Sequence, residues 1–109
     1  MLYKIIHYKT SNDVDVFAKW FDKQRDERAM ARMLARIECM GDGNFGDCKA
    51  LEAGVWELRI DVGQGYRLYY SIIEKAVILI ICGGDKSTQD RDIARAIGYL
   101  AEYKRRKIK

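Results

Sequence analysis

Residues 55–82 read VWELRIDVGQGYRLYYSIIEKAVILIIC, and their hydrophobic period is two. Trp56, Leu58 and Ile60 alternate with Glu57 and Arg59, which puts the apolar side chains on one face of a strand and the charged ones on the other. Gly63-Gln64-Gly65 is a turn signal, so Val55–Asp61 and Tyr66–Ile73 read as neighbouring strands. Glu74-Lys75 leaves room only for a tight connection into Ala76–Cys82. The unbroken apolarity of that segment predicts a central strand covered on both faces, closed by Gly83-Gly84-Asp85-Lys86.

Outward from this meander the period becomes helical. Downstream, Ile93, Ile97, Leu100 and Ala101 form an apolar stripe with Arg91 and Arg95 off it, and Ser87-x-x-Asp90 has the spacing of a capping box. Upstream, Gly41–Gly54 is loop-rich; its GDGNFG opening matches a dinucleotide-binding pattern in letters, but a helix precedes it where the mechanism needs a strand. Before that loop, Met30, Met33, Leu34, Ile37 and Met40 recur at helical spacing. Phe17, Trp20 and Phe21 form a shorter helix behind the capping residues Thr10–Asp13, and the polar break Lys23–Asp26 joins the two helices as a hairpin. Tyr3–Tyr8 (YKIIHY) is a first strand. The order β-α-α-β-β-β-α predicts an α+β fold: a small, mainly antiparallel sheet, an N-terminal helical hairpin and a C-terminal helix, in one domain over 1–109.

Composition narrows the function classes. The longest apolar run falls far short of a membrane helix, and no small-residue cleavage site follows the first residues, so a cytoplasmic protein without membrane contact is expected. The three cysteines are widely spaced and form no C-x-x-C pair, which predicts free thiols and no structural zinc. The formal charge of +4 is local: residues 1–54 balance nine basic against nine acidic groups, and 104–109, expected to be a flexible tail, carry five basic ones. General basicity is therefore weak evidence for nucleic-acid binding, and convergence of particular cations matters more. The single histidine, His7, excludes two-histidine acid–base chemistry within one chain, and no nucleophile–base set stands out among the serines and cysteines.

Arg59, Arg67 and Lys86 are the candidate cluster. Arg59 lies on the charged face of its strand, Arg67 just past the turn in the next one, and Lys86 beyond the exit of the third. Strands about 5 Å apart bring such residues onto one concave face, with Arg91 near enough to join them. Two readings stand side by side: cross-strand pairing with Glu57, Asp61 and Asp85, or an anion site in which arginines grip phosphate and a lysine among cations takes part in proton transfer.

Gly43-Asn44-Phe45-Gly46-Asp47, Lys49, Gly54-Val55-Trp56-Glu57-Leu58-Arg59-Ile60, Gly63-x-Gly65-Tyr66-Arg67-Leu68-Tyr69 and Gly83-Gly84-Asp85-Lys86-Ser87-Thr88-Gln89-Asp90-x-Asp92-Ile93, in this order, resemble the "addiction module killer protein" branch of the RelE/ParE toxin superfamily, close to HigB-type toxins. The resemblance implies the same α+β fold and a type II toxin–antitoxin module. Its implied partners are a cognate helix-turn-helix antitoxin, the ribosome with its mRNA, and operator DNA only through the antitoxin complex. The RelE side implies a ribosome-dependent mRNA endonuclease; the ParE side, a DNA gyrase inhibitor without nuclease activity; a degenerate member would only bind and regulate. On the nuclease reading, Arg67 and Lys86 take the family's basic positions and Arg59 the place of a strand lysine, as catalytic residues. Lys49 and Arg91 contact RNA backbone, and no metal or cofactor is implied. The catalytic tyrosine of some members is replaced near Arg91, in Gln89-Asp90-Arg91-Asp92. Tyr66, Tyr69, Tyr70 and Tyr99 are candidates for antitoxin contact, against a reading as packed side chains.

Overall fold

The computed structural model describes residues 2–107. Its elements are β1 (Lys4–His7), α1 (Val16–Asp22), α2 (Glu27–Gly41), β2 (Cys48–Ala50), β3 (Trp56–Ile60), β4 (Tyr66–Ile73), β5 (Val77–Asp85), a 3-10 turn (Lys86–Thr88) and α3 (Gln89–Lys107). The fold is α+β, with a five-stranded mixed sheet in the order β1-β5-β4-β3-β2. The β2–β3, β3–β4 and β4–β5 pairs are antiparallel, whereas β1 runs parallel to β5 with Ile5 opposite Ile78.

This differs from the expected order in two respects. The Gly41–Gly54 loop contains an extra edge strand, β2, which pairs Lys49 with Glu57 and is too short to show a period. The expected helical hairpin is not the packing unit, although the first strand precedes both helices as expected. Instead α1 lies chiefly over β5 and α2 over β3, so each spends its apolar stripe on the sheet.

The strand alternation sorts the core into two layers. Leu58, Ile60, Leu68, Tyr70, Ile78 and Ile80 bury against Phe17 of α1 and Met33, Ile37 and Met40 of α2. On the other face Tyr69, Leu79, Ile81 and Cys82 pack beneath Ala96 and Leu100 of α3. A register shift between Tyr69 and Tyr70 bulges β5 at Ile81, so Ile81 and Cys82 both reach the α3 side. Cover on both sides explains the continuous apolarity of β5. It also places Tyr66, Tyr69 and Tyr70 among the packed side chains, leaving only Tyr99 of the four tyrosines partly open.

The helix caps lie elsewhere than expected. Asp15 caps α1 by accepting from the Ala18 amide at 2.9 Å, while Thr10 and Val14 close a separate loop on each other. Asp26 caps α2 in the same way, accepting from Ala29 at 3.0 Å. At the last helix the box is formed by Asp85 and Thr88 around the 3-10 turn, and not by Ser87 and Asp90. The segment expected to be a flexible tail is helical through Lys107, with Ile108 and Lys109 outside the described residues. Arg106 donates to the Lys9 carbonyl at 2.6 Å, and Tyr8 donates to Glu102 at 2.6 Å, which clasps α3 to the end of β1.

All three cysteines are free thiols. No helix among the described residues is long and apolar enough to cross a membrane.

Candidate functional site

Alternation in β3 sends Glu57 and Arg59 to the α3 side of the sheet, and the antiparallel register sets Arg59 opposite Arg67 and Glu57 opposite Tyr69. Two like charges directly opposed in a ladder repel. Glu57 offsets this: its Oε1 accepts from Arg59 Nε at 3.0 Å and lies 3.8 Å from Arg67 Nε. Its other oxygen accepts from Gln89 Nε2, on the first residue of α3, at 2.8 Å. The carboxylate is fully buried, Arg67 is 12 % exposed and Arg59 36 %. The hydrogen bond that Arg59 donates to Glu57 raises the Arg59 pKa above its ordinary value, so the guanidinium stays charged.

The arginines do pair with Glu57, but one carboxylate cannot satisfy two five-donor guanidinium forks. The buried Arg67 Nε has no hydrogen-bond partner, and Arg67 Nη1 makes only a 3.4 Å bond to the adjacent Tyr66 carbonyl. Tyr69 stands beside them with its hydroxyl buried and unpartnered. Burial, followed by the charges of Glu57 and Asp92, pushes its pKa well up, so it is a neutral phenol.

Lys86 lies one register step away. Asp85 pairs with Tyr66, and the Lys86 side chain crosses the next position, Gly65, where an added Cβ would stand 2.9 Å from Lys86 Cε. Gly65 also has φ +82°, so the turn needs glycine for conformation as well as for clearance. Lys86 is exposed and takes part in no ion pair among the described residues. Lys49, exposed on the edge strand β2, extends the row Lys49–Glu57–Tyr69–Cys82 across four strands. Arg59, Arg67 and Lys49 therefore share one sheet face, and Lys86 lies over the Gly65 turn that precedes Arg67.

Arg91 does not join them. Gln89 turns toward Glu57, whereas Arg91, two residues on, pairs with buried Asp92 at 3.4 Å and opens into a different cleft, together with Arg95. Asp92 itself accepts from Thr88 at 2.5 Å and lies over Gly84, where any Cβ would collide with its carboxylate. His7 is committed to Asp15 at 2.7 Å. Among the described residues no group of three or more His, Cys, Asp or Glu side chains is placed to hold a metal ion.

Two contributors were underrated in the sequence. Glu57 was visible only as a possible pairing partner, and Gln89 only as a letter in the GGDKSTQ block. The signal available for Glu57 was its position, an acid exactly two residues from Arg59 on the same strand face.

The molecule is thus a small α+β domain carrying a cationic sheet face whose arginines are organised by a buried acid. Residues 19–100 match the family described as phage-derived protein Gp49-like (DUF891), and the chain belongs to that family. It is also similar to an uncharacterized protein of Haemophilus influenzae, 49 % identical over 80 residues that cover 73 % of this chain and 81 % of the relative. The family match spans Arg59, Arg67, Lys86 and their organisers Glu57 and Gln89.

Proposed function

We propose that this chain is the toxin of a type II toxin–antitoxin module and acts as an endoribonuclease on mRNA held by the ribosome. The observation that carries the proposal is the Arg59–Arg67 pair, two guanidiniums fixed side by side by one buried carboxylate with donors left over. In this reading the mRNA 2′-oxygen attacks the adjacent phosphorus in line, the bond to the 5′-oxygen breaks with a proton from water going to that departing oxygen, and Arg67 and Arg59 hold the charge that develops on the phosphorane. Lys86 serves the 2′-oxygen, as base or as a charge beside the alkoxide, and Lys49 contacts the RNA backbone. A site of cations without a strong base is slow on free RNA. It gains from a ribosome that orients the substrate, because positioning alone supplies several kcal/mol of a barrier.

A cognate antitoxin that covers this face would silence it, and a helix-turn-helix domain on that partner would tie the complex to operator DNA. The resemblance to RelE/ParE toxins and membership of the Gp49-like family support this reading, with the cytoplasm as the place of action.

Pulse labelling after tightly induced expression tests it. Methionine incorporation collapsing before thymidine incorporation, with transcripts cut inside translated regions, is the expected result. An early fall in thymidine with protein synthesis intact would replace it with gyrase inhibition. No effect on either would leave a binding and regulatory member.

A further inference from the structure

β1 ends at His7, paired with Ile80, and β5 runs on to Asp85 with no strand beside it on that edge among the described residues. The 10–14 loop, α1 and the first turns of α3 wall this gap and leave a cleft of about 540 Å³. Lys19 and Lys23 enter it from α1 and its C-cap, and Arg91 and Arg95 from α3. Trp20 and Tyr99 add two aromatic rings, and no Asp or Glu lines the cleft. The nearest acid on α3, Asp92, is 1 % exposed, already bonded to Thr88, and reaches Arg91 and Arg95 only at 3.4 and 3.9 Å. Arg91 and Arg95 are 65 % and 44 % exposed, and Arg95 Nη2 donates to the Tyr99 hydroxyl at 3.3 Å. Gly83 forms the floor, and Trp20 lies against it where any side chain would collide with the ring. Arg95 sits over Tyr99, 5.7 Å from the ring centroid.

Four cations share the cleft against the single buried carboxylate of Asp92, and that surplus calls for an anion; guanidinium forks fit phosphate. Flat rings beside those cations suit a base, since stacking on aromatic side chains accepts any nucleobase. We infer that this cleft is a nucleotide-binding site: Arg91 and Arg95, with Lys19 and Lys23, take the phosphate, and Trp20 takes the base, since the Tyr99 ring is already stacked on Tyr8. The nucleotide is either free or one residue of an RNA strand. The inference does not rest on strand cleavage, because Arg59, Arg67, Lys86 and Lys49 are not among the residues that line the cleft.

The test is tryptophan fluorescence on the full chain carrying Trp56→Phe, so that Trp20 is the only reporter. The probes are AMP, inorganic phosphate, a short 2′-O-methyl oligouridylate that has no attacking hydroxyl, and a polyglutamate peptide of matched charge. Saturable quenching by AMP, with the oligomer no tighter, identifies a free nucleotide. Oligomer binding tighter by about tenfold or more, 1.4 kcal/mol, identifies an RNA strand. In either case inorganic phosphate binds more weakly, and Arg91→Gln/Arg95→Gln loses about tenfold or more in affinity. Lys19→Gln/Lys23→Gln repeats the comparison without touching the Asp92 pairs, should the arginine variant not fold. Absence of quenching, unchanged affinity in the variants, or polyglutamate bound as tightly as the oligomer would overturn the assignment.

Discussion

Arg59 and Arg67 stand directly opposite each other on β3 and β4, and both lean on the one carboxylate of Glu57. The carboxylate is buried, so its removal leaves two facing guanidiniums, one of them largely out of solvent, with nothing between them.

Glu57→Gln is therefore expected to destabilise the fold by about 3 kcal/mol, the scale for breaking a buried ion pair from one side. Urea unfolding measures this. Sulfate should recover more stability in the variant than in the parent, because an external anion takes the place of the lost carboxylate.

Arg67→Lys keeps the positive charge and loses the planar fork. If the arginine holds a developing phosphorane, activity falls by about 100-fold, the cost of removing one aimed donor, while circular dichroism stays unchanged. Lys86→Ala should abolish growth inhibition on induction without loss of fold, since Lys86 is exposed and takes part in no ion pair among the described residues. Full toxicity in both folded variants would remove these residues from the site.

The β4–β5 hairpin turns on Glu74 and Lys75, with φ of 54° and 67°, a left-handed pair that side-chain-bearing residues adopt at a cost. Glu74→Asn/Lys75→Gly should raise stability by about 1 kcal/mol. The denaturation midpoint should move up at constant slope.

Stability should fall on the alkaline side. Burial, then the bond to Glu102, pushes the Tyr8 pKa up to about 12, and burial pushes Cys82 up to about 12. Groups with raised folded pKa values hold their protons more tightly in the native state. Their contribution is intact below the unfolded values, near 9.0 for Cys and 10.0 for Tyr, and is lost as pH climbs toward 12. Tyr8→Phe should flatten the upper part of that decline in pH-dependent unfolding. A thiol reagent at mild pH should reach half-buried Cys39 and leave Cys82 untouched until the chain unfolds.

Much of the sheet was legible because its signals are local. Trp56–Ile60 alternates within five residues, and the glycines at 63 and 65 mark the turn that sets Arg59 against Arg67. Strand β2 was not legible, since three residues in a glycine-rich loop carry no period. Nor was the parallel β1–β5 pairing, whose partners lie too far apart in sequence to leave a local trace. The helix caps misled for a different reason: Thr10–Asp13 has the right residue types, but Thr10 is spent on closing its own loop with Val14, leaving Asp15 to cap α1. Within the site, the cross-strand members were readable from register. Arg91 lies near Lys86 in sequence but not on the same side of α3, because two residues along a helix turn a side chain away from the Gln89 direction.

The parallel pairing of β1 with β5 also has a bearing on timing. Ile5 must wait for Ile78 to be synthesised before the sheet can close, and Glu57 must wait for Gln89. At ribosomal elongation rates the first of these delays is on the order of 4–15 s. Throughout it the arginine pair lacks its helical lid, and the apolar strand β1 has no neighbour. A nascent chain therefore cannot carry the finished cationic face, and any partner that recognises that face meets it only after most of the chain has left the exit tunnel.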